Sequence, residues 1–339
     1  MTQIHTIHEI PVYEPQKGQY TVHPGGNTNQ QYAGLDFRAG NSHDETLRRK
    51  TFHFPNSDRI AREVSLKDQG LHGAVKYLRK NGIEKIELAT INYNTINGPG
   101  AIQVIYAEPP STILLPREVD VFLHGRNATL GYLAVSAIRS YYNGKAICML
   151  SYRGQEGNKG VPYQEGFADD LDAAIEFLTK HKAWESERIN FVASSLGCDV
   201  LANMFSRRPT LYGKRDECFG NATLIAPFSS LRDMAELSIG RHRIIPRTIE
   251  PTSPGLLYPF RRLIAKLFKN PILSLYDNLD YFSTRIGSVK IFASRGDEYI
   301  PIEQTRKVYQ RLRELMGNEK VSLKEFPDFN HSELCQSVT

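Results

Sequence analysis

From residue 85 onward, short apolar and β-branched runs alternate with segments whose apolar positions recur at helical spacing. Residues 85–92 and 101–108 read as two strands, with the turn-forming Asn97-Gly98-Pro99-Gly100 between them. Residues 119–124 form an apolar strand that ends in His124-Gly125. A helix over 130–142, a strand over 145–151, a helix over 165–180 and a strand over 188–193 follow, then a helix over 196–207 and a strand over 221–226. After an interruption the pattern resumes with a strand over 288–294, a helix over 302–315 and a last strand over 320–326. This alternation predicts an α/β fold: a mostly parallel, eight-stranded sheet with helices on both faces.

Upstream, the pattern fades. Apolar positions over 1–60 are sparse and unperiodic, which suits an N-terminal extension or an arm wrapped on the domain that occupies 61–339. A helix is expected over 66–79, capped by Ser65, with Leu71, Ala74, Val75 and Leu78 on one face and Asn81-Gly82 ending it.

Composition narrows the classes. The 339 residues are 40% hydrophobic and 23% charged, enough to bury a substantial core and unlike a disordered or fibrous chain. The net charge of +5 comes without a long basic run or an RNA-binding aromatic motif, so no nucleic-acid partner is expected. The first residues lack a cationic and apolar leader, and no apolar stretch is long enough to span a membrane. Cys148, Cys198, Cys218 and Cys335 are too scattered for a disulfide framework or a zinc site. Together these features predict a cytoplasmic protein.

Four motifs carry candidate chemistry. The first is Val192-Ala193-Ser194-Ser195-Leu196-Gly197, between a strand and a helix. A sharp strand–turn–helix needs small residues two before and two after its serine, and Ser195 has Ala193 and Gly197 there. Framing on Ser194 would crowd those positions with Val192 and Leu196. The second is the His124-Gly125-Arg126 end of its strand. The third is Ser294-Arg295-Gly296-Asp297-Glu298-Tyr299-Ile300-Pro301, in which Asp297 is the candidate acid and Glu298 an exposed neighbour. The fourth is Phe326-Pro327-Asp328-Phe329-Asn330-His331, after the last strand. Asp169, Asp170 and Asp172 read as the solvated first turn of a helix rather than a metal cluster.

In that order and context the motifs resemble those of the α/β-hydrolase superfamily, in its esterase, thioesterase and serine-aminopeptidase-like branch. Tyr152-Arg153-Gly154 with the glycines and proline after it, and the helix that follows, resemble a further segment of that branch. The resemblance covers about residues 85–334. It departs at Ala193, at Gly296 directly before the acid, and at Phe329 and Asn330 where small residues are usual. It implies Ser195 as nucleophile, Asp297 as acid, His331 as base and the amides of Arg126 and Leu196 as the oxyanion hole, with no metal or organic cofactor. His124 reads as a brace for its loop.

The resemblance also implies that 227–287 is a lid, inserted before the strand that carries the acid. Within it Phe260, Leu263, Ile264, Leu267 and Phe268 share one helical face, and Arg261, Arg262, Lys266 and Lys269 the other. That helix either covers the site or contacts a membrane surface through 258–269. The expected function is a serine hydrolase cleaving a small acyl ester or thioester. A serine peptidase on short peptides, and a non-catalytic scaffold whose N-terminal arm binds a protein, are the alternatives. A final helix after His331 is expected to be missing, because so little chain remains.

Overall fold

The computed structural model describes residues 4–9, 70–95, 98–109, 118–125, 130–155, 158, 164–211, 217–230 and 274–337. Most of the N-terminal segment, Arg126 and the helix expected over 258–269 lie outside these residues. Nine strands form one sheet: β1 (Ile4–Glu9), β2 (Glu87–Thr95), β3 (Gly98–Ala107), β4 (Val119–Leu123), β5 (Ala146–Leu150), β6 (Ile189–Ser194), β7 (Phe219–Ile225), β8 (Ile286–Ser294) and β9 (Val321–Phe326). Their spatial order is β1-β2-β3-β5-β4-β6-β7-β8-β9. The eight expected strands are all present, and the sheet gains a ninth: β1 pairs antiparallel with β2, from Ile4 opposite Tyr93 to Glu9 opposite Ala89. The β2–β3 and β3–β5 pairs are also antiparallel, whereas every pairing from β5 through β9 is parallel.

The central strands β4, β5 and β6 are buried along their whole length, as parallel strands covered on both faces must be. Alternation assigns their side chains to two cores. Val121 and Leu123 enter a cluster with Leu171, Val200, Leu201 and Leu279. Phe122 and Met149 enter the opposite one with Leu71, Leu133, Ala134 and Leu334. The helices α3 (Gln164–Glu176), α4 (Leu196–Leu211) and α5 (Leu275–Ser283) therefore cover one face. On the other lie α1 (Leu71–Lys80), α2 (Leu130–Tyr142) and α7 (His331–Ser337). The remaining helix, α6 (Ile302–Met316), buries Val308 and Leu312 against the first cluster.

Several sequence expectations are corrected. Helix α1 starts at Leu71 instead of 66, because Gly70 is extended (φ −73°, ψ −167°) and takes the N-cap place given to Ser65. Gly98-Pro99-Gly100 is not a turn but the start of β3. Gly100 faces Tyr93, and a Cβ at Gly100 would lie 2.3 Å from the Tyr93 ring, so the missing side chain is what lets that ring lie across the hairpin. Asp169, Asp170 and Asp172 are buried, not solvated, and each meets an arginine: Arg207 at 3.3 Å, Arg153 at 2.9 Å and Arg208 at 3.1 Å respectively. Finally, a helix does follow His331, namely α7.

The ends of the 231–273 stretch are pinned side by side. Tyr276 N donates to the Ser229 carbonyl (3.0 Å), Ser229 N donates to Gln304 Oε1 (3.2 Å), and Leu275 N donates to Asp199 Oδ1 (2.8 Å) on α4. Among the described residues the second Asp199 oxygen accepts no hydrogen bond, and burial pushes the carboxyl well above the usual range.

Candidate active site

Ser195 occupies the turn between β6 and α4 and is one of three described non-glycine residues with positive φ, at 51°. Such a backbone costs on the order of 1–3 kcal/mol and persists only where the surroundings impose it. Here Ser195 N donates to the Ile225 carbonyl at the end of β7 (2.8 Å), and the Ser195 carbonyl accepts from Cys198 N (3.0 Å). The need for a small residue two places on is visible directly: a Cβ on Gly197 would lie 2.5 Å from the Leu123 carbonyl oxygen. Gly125 is close as well, since a Cβ there would sit 3.2 Å from the Ser195 Cβ. Thus β4 delivers its terminal glycine to the face of the elbow.

Asp297 and His331 come from the loops after β8 and β9, which pair in parallel. His331 Nδ1 lies 2.7 Å from Asp297 Oδ2. The other carboxylate oxygen accepts the backbone N–H groups of Tyr299 (2.9 Å) and Ile300 (2.8 Å), so both oxygens are engaged and the side chain is almost fully buried. Gly296 fits this loop for a steric reason: a Cβ there would lie 2.8 Å from the backbone of Asp328. Glu298 is exposed as expected, yet it has a task the sequence did not reveal, because its Oε2 accepts the His331 backbone N–H at 3.0 Å. The ring of Tyr299 stands edge-on to the His331 ring, with centroids 5.5 Å apart at 80°. Three consecutive side chains of one loop therefore touch one histidine.

The two residues that depart from the family pattern before His331 have local explanations. Asn330 Oδ1 accepts from Glu333 N while Glu333 Oε2 accepts from Asn330 N, each at 2.9 Å, which is a reciprocal capping box at the start of α7. Phe329 is buried and packs at a tilt of 42° against Phe326, with centroids 4.8 Å apart. On α7 the Cys335 thiol is pushed up to about 12 by burial, while in the elbow the Ser194 hydroxyl donates to the Leu123 carbonyl at 3.4 Å. Among the described residues, no hydrogen bond joins Ser195 Oγ to His331; such contacts often tighten only when substrate is bound.

His124 is fully buried at the end of β4, tilted against Tyr152 with ring centroids 4.5 Å apart. Its Nδ1 lies 2.7 Å from the Gly125 carbonyl. With Nδ1–H as donor, Nε2 is left as an acceptor with no partner. Burial pushes the imidazole down to about 4, so it is neutral at physiological pH. Behind the next loop, Arg153 donates to Asp170 through its backbone N (2.8 Å) and Nε (3.0 Å), and Tyr93 OH bonds the same carboxylate. Gly166 makes room for this arginine, since a Cβ there would lie 2.7 Å from its side chain. Among the described residues no group of His, Cys, Asp and Glu could hold a metal ion.

The sheet order and the sharp strand–turn–helix after β6 are those of the α/β-hydrolase fold, and this is the fold of the chain. A solved α/β hydrolase from Vibrio vulnificus superposes with a TM-score of 0.55 at 15% identity, covering 85% of this chain and 90% of that one. An esterase from Pyrococcus furiosus gives 0.52 at 16% identity, covering 76% and 86%. Among curated proteins, an uncharacterized protein of Mycobacterium tuberculosis is 25% identical over 158 residues, 47% of this chain and 44% of that protein. The match thus spans less than half of that relative. Protein bem46 of Schizosaccharomyces pombe is 23% identical over 254 residues, covering 74% and 72%. No family model matches the chain.

Proposed function

We propose that the protein is a serine hydrolase that cleaves an acyl ester or thioester. The observation that carries this reading is the Asp297–His331 pair: a buried carboxylate, fixed by two backbone amides, holds a histidine ring, and both residues follow the C-terminal ends of β8 and β9, at the same end of the parallel sheet as the Ser195 elbow after β6. Asp297 keeps the proton on Nδ1 and leaves Nε2 free to accept one. Ser195 Oγ attacks the carbonyl carbon while His331 takes the hydroxyl proton. As the tetrahedral intermediate collapses, the bond to the leaving oxygen or sulfur breaks and His331 returns the proton to it. Water, activated by the same histidine, then releases the acid and restores the serine.

The oxyanion would be held by the amide of Leu196, the first residue of α4 and so without an intrahelical acceptor, together with that of Arg126. His124 fixes the Gly125 carbonyl, the last described group of the loop after β4. A fluorophosphonate probe tests the reading, because it reports an activated serine without knowledge of the substrate. Wild type should label and turn over short acyl esters or thioesters; Ser195→Ala and His331→Ala should lose both, by about 10⁴-fold or more in turnover. Folded wild type that neither labels nor hydrolyses would overturn it.

A further inference from the structure

We infer that Tyr299 forms the leaving-group wall of the site and selects for esters of aromatic or bulky apolar alcohols. The inference rests on the proposed acyl-transfer reading and deepens it. His331 meets Asp297 through Nδ1, so Nε2, on the other side of the ring, is the atom that must hand a proton to the departing alcohol. That handover needs the leaving oxygen within about 2.6–3.2 Å of Nε2. A solvent-facing side chain beside the His331 ring is placed to meet the alcohol half of the substrate, which departs from that ring.

Tyr299 meets this description. Its ring lies 5.5 Å from that of His331 at 80°, and it remains 57% exposed, one of three described large hydrophobic residues left so open. Its position is set by the backbone: Tyr299 N is bonded to the same carboxylate that orients His331, and the next residue, Ile300, is buried. An aromatic surface held beside a proton donor can pack a second ring against itself.

Two ester series test this on the full-length protein. One keeps the acetyl group and varies the alcohol through ethyl, benzyl and 2-naphthylmethyl; the other keeps ethanol and lengthens the acyl chain. Tyr299→Ala should lower kcat/KM about 3- to 10-fold for the benzyl and naphthylmethyl esters and less than about 2-fold for ethyl acetate, with the same ratio at every acyl length. Deacylation should be unchanged, because the alcohol has already left. A uniform loss across both series that also slows fluorophosphonate labelling would overturn the inference and make Tyr299 a brace for His331. A loss graded with acyl length would overturn it too. Wild type without labelling or turnover would instead remove the acyl-transfer reading, a failure visible before any variant is compared.

Discussion

A histidine whose ring is fully enclosed must stay neutral, and His124 illustrates the consequence for acid stability. Its folded value near 4 lies below the roughly 6.5 of an exposed imidazole, so between those values the unfolded chain binds the extra proton. Stability contributed by the neutral ring is therefore complete above about pH 6.5 and falls as pH drops towards 4, by about 3 kcal/mol in total. His124→Asn keeps a donor for the Gly125 carbonyl and cannot titrate. Urea unfolding at pH 7 and pH 4 should show the wild type losing about 3 kcal/mol more than the variant; equal losses would mean that His124 charges without cost. The residue scale is also where sequence is least informative. Asp169, Asp170 and Asp172 look like a solvated turn because their partners Arg207, Arg153 and Arg208 are joined to them only by folding. The grip of Glu298 and Tyr299 on His331 is hidden for the same reason.

Among the elements, the passage from β6 to α4 is the most legible, because steric exclusion is written in residue size. The positions flanking Ser195 must be small whatever the rest of the chain does, and the 2.5 Å approach of a Gly197 Cβ to the Leu123 carbonyl shows the margin. Gly197→Ala should push β4 and α4 apart and cost on the order of 1–3 kcal/mol, detectable as a lower urea midpoint with fluorophosphonate labelling lost or strongly slowed. A variant as stable and as readily labelled as wild type would contradict that account. Element boundaries governed by finer balances were less legible. Gly98-Pro99-Gly100 has the composition of a turn, and only the ring of Tyr93 lying over Gly100 explains why it is strand. The capping box of Asn330 and Glu333 was present in the sequence, but the seven-residue helix it starts is shorter than periodicity can reveal.

At the scale of the whole molecule, two-sided burial of β4, β5 and β6 made the layer architecture plain from their unbroken apolar runs, whereas β1 is isolated in a stretch with no other periodic signal. Its pairing with β2 means that removing residues 1–60 would leave the outer N–H and C=O groups of β2 unpaired. The truncated protein should melt several degrees lower and elute partly as oligomers on size exclusion; unchanged melting and a single monomer peak would show β1 to be dispensable. The pinned base of residues 231–273 has a different kind of consequence. Tyr276 on Ser229 and Leu275 on Asp199 hold both ends of that stretch to the scaffold, so its length is insulated from the sheet. Between two points held in this way, each doubling of the intervening chain length costs only about 0.6 kcal/mol of closure entropy. The two anchors thus bound a cassette: lineages, or designers, can exchange the sequence between them and leave the anchored sheet and helices as they were.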